Sequence, residues 1–218
     1  TLELGGKSPN IVFGDADVET AIAGAANAIF FNHGQCCCAG SRLYVEQNIF
    51  DDVVNGVAEA ARSIKVGEGF APDTQMGPLV SEEQLNRVSG YLDSGFAEGA
   101  EAICGGKRAG GSGYFVEPTV LVKTNAKMKV VQEEIFGPVV TAMPFKSAED
   151  ITPIANDTVY GLAAGIWTRD ISSAHRLAAA AEKGDMGTAA QQFGAMSTGC
   201  VACHAHFRGQ PGTSPRLK

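Results

Sequence analysis

No apolar run in these 218 residues approaches the roughly 18 that a membrane span requires. Basic residues are the minority, 17 Lys and Arg against 24 Asp and Glu for a net charge of −7. No stripe of them gathers into the footprint of a nucleic-acid surface. The six cysteines (Cys36, Cys37, Cys38, Cys104, Cys200 and Cys203) are spaced as no disulfide framework is spaced. Three are adjacent, and neighbouring cysteines are poorly placed to bridge each other. The first four read as thiols of a cytoplasmic protein. A basic-plus-apolar leader is lacking. The chain opens on Thr1 and a glycine-rich turn, which reads as the interior of something longer, so that lack carries little weight. Internal repeats and low-complexity blocks are missing too.

What is present is ordinary for a globular protein: 44% hydrophobic and 19% charged residues, in a length that affords one large domain or two small ones with a sizeable core. "NIVF" predicts a strand near residue 10. Asp15 or Asp17 caps a helix over about 18–33, with Ala21, Ala25, Ala28 and Ile29 on its apolar face. "RLYVE" is a strand, 47–65 an amphipathic helix, and Ser81 with Gln84 a capping box for a helix over about 81–97. "EAICGG", "YFVEPTVLVK", "GPVVTAMPF" and "GLAAGIWT" are extended. A short helix at 147–157 and another from "RDISSAHRL" separate or follow them. Strands alternating with helices predict an α/β fold with a mainly parallel sheet. Composition shifts once, after about residue 182, where Val and Ile nearly vanish and Ala, Gly, Met and His take over.

"NHGQCCCAGSR" is the first stretch with chemical promise. It follows a predicted helix, leads into a strand, and has glycines on both sides that let a turn expose one sulfur. A catalytic thiol needs a depressed pKa and an approach path. The middle residue, Cys37, faces away from its neighbours if the stretch is locally extended. Three buried core cysteines remain the alternative.

Several further stretches occur in one order: "LELGGKSPNIV" at 2–12, "FFNHGQCCCAGSRLYV" at 30–45, "GPLVS" at 77–81, "GYFVEPTVL" at 113–121, "EEIFGPVV" at 133–140 and "NDTVYGLAAGIWTRD" at 156–170. Together they closely resemble the NAD(P)-dependent aldehyde dehydrogenase superfamily over residues 1 to about 182. The resemblance implies a catalytic domain and a set of roles. Cys37 matches the nucleophile, whose thiolate attacks an aldehyde, and its backbone N–H would supply an oxyanion donor. Glu3 matches the general base that activates water for thioester hydrolysis. Gly5 and Gly6 let the backbone approach the nicotinamide of NAD or NADP. Glu134 matches the residue that binds the nicotinamide ribose, and Phe136 its packing neighbour. The implied parent enzyme oxidises an aldehyde to a carboxylic acid and is a homo-oligomer. Cys36 and Cys38 read as structural, Cys104 as a small buried hydrophobe, His33 as a helix-end histidine, and Lys7 carries no assigned role.

The family's dinucleotide-binding domain lies mainly before "LELGG", so this chain is expected to show negligible dehydrogenase turnover by itself. Residues 183–218 are expected to be a separate stretch, a helix with a disordered end. Phe193, Met196, Cys200, Cys203 and Phe207 share one helical face. Cys200, Cys203 and His204 form a CxxCH pattern that could hold haem c through two thioethers and an axial imidazole. The stretch resembles the last helix of cytochrome c-prime. A redox CxxC, a partial zinc site with His206, and chance are the alternatives. One helix cannot enclose a haem. A haem-binding electron carrier therefore stands as the alternative function, with a periplasmic location in place of a cytoplasmic one. A reading frame joined from two genes, or a true fusion, would account for body and tail together.

Overall fold

The computed structural model describes residues 4–183. Glu3, and with it the whole stretch holding Cys200, Cys203 and His204, lies outside the described residues.

The chain begins with β1 (Pro9–Val12) and passes to α1 (Val18–Phe30), whose first turn is capped by Asp17 through a hydrogen bond from the Thr20 N–H of 2.9 Å. β2 (Arg42–Glu46) and α2 (Phe50–Ser63) follow, then α3 (Glu82–Ala97). β3 (Glu101–Cys104) and β4 (Thr119–Val122) make the single antiparallel strand pair among the described residues. The short α4 (Lys129–Gln132), β5 (Val139–Phe145), α5 (Ala148–Asn156), β6 (Gly165–Trp167) and α6 (Ile171–Lys183) complete the order. The sheet runs β3-β4-β5-β2-β1-β6, parallel everywhere except at the β3 edge.

Both faces of the sheet are covered, which is why its strands read as near-continuous apolar runs. Val12, Leu43, Val45, Val140 and Ala142 pack on one side with α1 and α2. Ile11, Tyr44, Leu121, Val139 and Met143 pack on the other with α3, α5 and α6. Phe13 and Phe145 meet edge-on at 5.2 Å on that second face. The parallel α/β architecture with helices on both sides agrees with the sequence pattern.

The differences are local. The first helix stops at Phe30 rather than near residue 33, because Asn32, His33 and Gly34 all take positive φ (50°, 62° and 66°). The strand in "GLAAGIWT" is confined to Gly165–Trp167. The four residues of α4 are too few to show a helical period.

Candidate active site

The left-handed run at 32–34 turns the chain away from α1 and sends it across the segment at 135–138. Gly34 is required there twice. Its φ is positive, and a Cβ on it would lie 2.1 Å from the Gly137 carbonyl oxygen. The loop is pinned from outside as well. The Gly77 N–H donates to His33 Nε2 at 3.0 Å, and the Val80 N–H to Gln35 Oε1 at 3.1 Å. His33 thus does more than end a helix: it fastens the cysteine loop to the 77–80 segment.

Cys36–Ala39 is a β-turn, closed by the Ala39 N–H on the Cys36 carbonyl at 3.0 Å. The stretch is therefore turned rather than extended. Cys36 and Cys37 are half-buried and Cys38 is exposed. The Cys36 and Cys38 sulfurs stand 3.3 Å apart. That hydrogen bond, with partial burial behind it, pushes the Cys38 thiol up to about 11. Cys104 is buried, as its apolar strand predicts, and burial raises its thiol too.

The glycine pair at the entrance to β1 lies against this turn. An added Cβ on Gly6 would fall 1.9 Å from the Cys37 carbonyl oxygen. On its other side the Gly6 N–H donates to Glu134 Oε1 at 2.9 Å. The Cβ of a residue replacing Gly5 would meet the second Glu134 carboxylate oxygen at 2.7 Å. Gly6, Cys36, Glu134, Phe136 and Gly137 line one narrow cleft. The structure therefore brings Cys37, Gly5, Gly6, Glu134 and Phe136 into one neighbourhood.

Glu134 and Phe136 are held by α3. The Gln84 side-chain amide donates to the carbonyls of Ile135 (3.1 Å) and Phe136 (2.7 Å), while its backbone N–H meets the Ser81 hydroxyl as the cap predicted. The side chain of the expected capping box is thus spent on the site. Arg87 donates to the Glu134 carbonyl at 3.1 Å. These bonds help hold Phe136 at φ 56°, a conformation costing a non-glycine residue about 1–2 kcal/mol.

Two buried cations behind the cleft were not legible as site residues. Arg42, 1% exposed, gives Nε to the Lys7 carbonyl (2.7 Å), one terminal nitrogen to the Ala155 carbonyl (2.8 Å) and the other to the Tyr44 hydroxyl (3.3 Å). It ties the Lys7–Ser8 peptide to the end of α5. The Lys7 ammonium is buried with no hydrogen-bond partner. Burial, reinforced by Arg42 and opposed by Glu134 and Glu133, pushes it down to about 7. The one sequence signal for Arg42 is a charge at the head of the apolar strand "RLYV". Among the described residues no cluster of His, Cys, Asp and Glu could hold a metal ion, and no helix is long and apolar enough to cross a membrane.

Comparison with known proteins bears on this geometry. The aldehyde dehydrogenase family profile matches residues 1–200. The chain belongs to the aldehyde dehydrogenase family. It is 52% identical to an aldehyde dehydrogenase of Aspergillus niger over 184 residues, covering 84% of this chain and 37% of that relative. The human mitochondrial aldehyde dehydrogenase is 46% identical, with 84% of this chain and 36% of that one covered. Among solved structures, the NAD+ complex of an aldehyde dehydrogenase from Bacillus cereus superposes with a TM-score of 0.81 at 49% identity, covering 83% of this chain and 37% of that one. A betaine aldehyde dehydrogenase point mutant from Staphylococcus aureus, solved with NAD+ and a BME-modified cysteine, gives a TM-score of 0.79 at 44% identity, covering 82% of this chain and 37% of that one. The chain thus spans little more than a third of the length of the aldehyde dehydrogenases it matches.

Proposed function

We propose that the protein from which this domain comes oxidises an aldehyde to a carboxylic acid with NAD or NADP, through a thioester on Cys37. The observation that carries the reading is the position of Gly6. One residue lies against the backbone of the proposed nucleophile on one side and bonds the Glu134 carboxylate on the other. The cofactor's chemistry would be to accept the hydride. Glu134 would offer carboxylate oxygens to ribose hydroxyls and Phe136 would flank it, while the bare backbone at Gly5 and Gly6 lets that carboxylate and the cysteine turn pack against it. A carboxylate beside two glycines and an aromatic ring is a set of groups whose chemistry fits the nicotinamide ribose.

The remaining steps belong to the chain's own groups. Cys37 Sγ adds to the carbonyl carbon to give a thiohemiacetal, and loss of hydride leaves the acyl group on sulfur. Glu3 then takes a proton from water, which attacks the thioester and frees Cys37. The parent enzyme is proposed to be a homo-oligomer. The 218-residue chain, spanning so little of its relatives, is expected to show negligible NAD reduction by itself.

Iodoacetamide near neutral pH tests the nucleophile directly. Cys37 should be carbamidomethylated ahead of Cys36, Cys38 and Cys104. First labelling at any of those three would overturn the assignment. The haem reading rests on the sequence of residues 193–207 alone, and a Soret absorbance that stays with the chain through denaturation would be needed to sustain it.

A further inference from the structure

Spacing alone argues against a bridge within "CCC", yet the turn changes the geometry. Cys36 and Cys38 are its first and third residues, and their sulfurs are already in contact at 3.3 Å. A disulfide needs about 2.05 Å between sulfurs and a Cα separation of about 4.4–6.8 Å. Residues two apart in a β-turn fall in that range, so side-chain rotation supplies most of the closure. Cys38 is exposed, which opens the pair to solvent, whereas Cys104 is buried against the Pro118 carbonyl. No role in thioester chemistry falls to either sulfur.

We propose that Cys36 and Cys38 form a reversible dithiol couple, which hydrogen peroxide oxidises to a disulfide that spans Cys37 and leaves the Cys37 thiol reduced.

Either sulfur can donate across the 3.3 Å contact. The Cys38 thiol is raised by that bond and by partial burial, and oxidation starts at Cys36. The Cys36 sulfur gives an electron pair to one peroxide oxygen. The O–O bond breaks, an S–O bond forms, and the Cys36 proton leaves with the other oxygen as water. The Cys38 sulfur then displaces hydroxide from the Cys36 sulfenic acid. The S–S bond forms, the S–O bond breaks, and the Cys38 proton leaves in the second water. Two thiols are oxidised and one peroxide is reduced to two waters. A thiol reductant reverses the reaction by exchange. Cys36 also lines the cleft with Glu134 and Phe136, so the bond draws one wall of the site toward solvent without consuming the nucleophile.

The test treats the 218-residue chain with hydrogen peroxide, blocks remaining thiols with iodoacetamide without reduction, and sequences tryptic peptide 8–42 by mass spectrometry. The expected product links Cys36 to Cys38 and carries the carbamidomethyl group on Cys37. A link that includes Cys37, or three alkylated cysteines and no link, overturns the proposal. Cys37→Ser should form the same link at the same rate, and its loss there also overturns it. Cys38→Ser should abolish the link. The nucleophile assignment fails or holds in the peroxide-free alkylation order, so the two readings fail separately.

Discussion

Replacing Gly6 by alanine probes the contact on which the site is built. The added Cβ would stand 1.9 Å from the Cys37 carbonyl oxygen and 3.0 Å from its carbon, where ordinary van der Waals contact begins near 3.4 Å. The obstacle is backbone on both sides, so no side chain can swing away. Either the cysteine turn or the entrance to β1 must move by more than an ångström. Moving the entrance also strains the Gly6 N–H bond to Glu134. Overpacking of this kind costs about 1–3 kcal/mol, and a misplacement of about 1 Å at a reacting group costs on the order of 100-fold in rate. Two assays read the two effects. Urea unfolding of Gly6→Ala should show a lower midpoint, and iodoacetamide should alkylate Cys37 at a clearly altered rate. Gly90, exposed in α3 with nothing within 4 Å of an added Cβ, is the control. There alanine should stabilise by about 0.5–1 kcal/mol. If Gly6→Ala matches the unsubstituted chain in both midpoint and alkylation rate, the close approach of glycine and cysteine backbones is not real, and the site argument falls with it.

Lys7→Met should change how stability depends on pH. The folded amine sits near 7 against 10.5 in the unfolded chain, so between those values the unfolded state holds the extra proton and stability rises with pH. The slope approaches about 1.4 kcal/mol per pH unit inside that window. Below pH 7 the full cost of burying the ammonium is present. The variant should be more stable at pH 7 and flatter from pH 7 to 9 in urea titrations, and an unchanged slope would contradict the burial argument. Arg42→Met should orphan the Lys7 and Ala155 carbonyls. At about 1–3 kcal/mol for each unsatisfied buried group, the urea midpoint should fall sharply, and a midpoint within error of the unsubstituted chain would show that the clamp is not used.

Strands such as "RLYVE" and "GPVVTAMPF" were legible because both faces of a parallel sheet are buried and the apolar run survives intact. The cap of α3 was legible from Ser81, and that of α1 was narrowed to Asp15 or Asp17, of which the structure uses Asp17. The end of α1 was misjudged because the apolar spacing runs on through Phe30, while termination depends on backbone angles at Asn32 and His33. The Asn and Gly of "FNHG" were the available sign, being residues that tolerate left-handed φ. Resemblance picked out Cys37, Gly5, Gly6, Glu134 and Phe136. It could not show that Gly6 is the piece between the first and the fourth, since one contact is with the Cys37 backbone and the other joins the Gly6 N–H to a carboxylate 128 residues away. Lys7, Arg42 and Gln84 were missed because their burial or partners are set by segments far away in sequence. Arg42 reaches Ala155 across 113 residues, and Gln84 reaches Phe136 across 52.

The place of β1 in the sheet bears on how the domain comes into being. This first strand is not at an edge. It lies between β2 and β6, and the Trp167 indole reaches back 157 residues to Asn10. Long-range parallel pairing of that kind is slow, because loop closure must precede the contacts that reward it. The glycine entrance and the cysteine turn are both available once the chain has been made as far as Cys37. Their carboxylate partner is 128 residues further on. On a ribosome, the thiol half of the site emerges well before the carboxylate half, and a nascent chain passes through an interval in which Cys36 awaits the segment at 134–137 that walls its cleft.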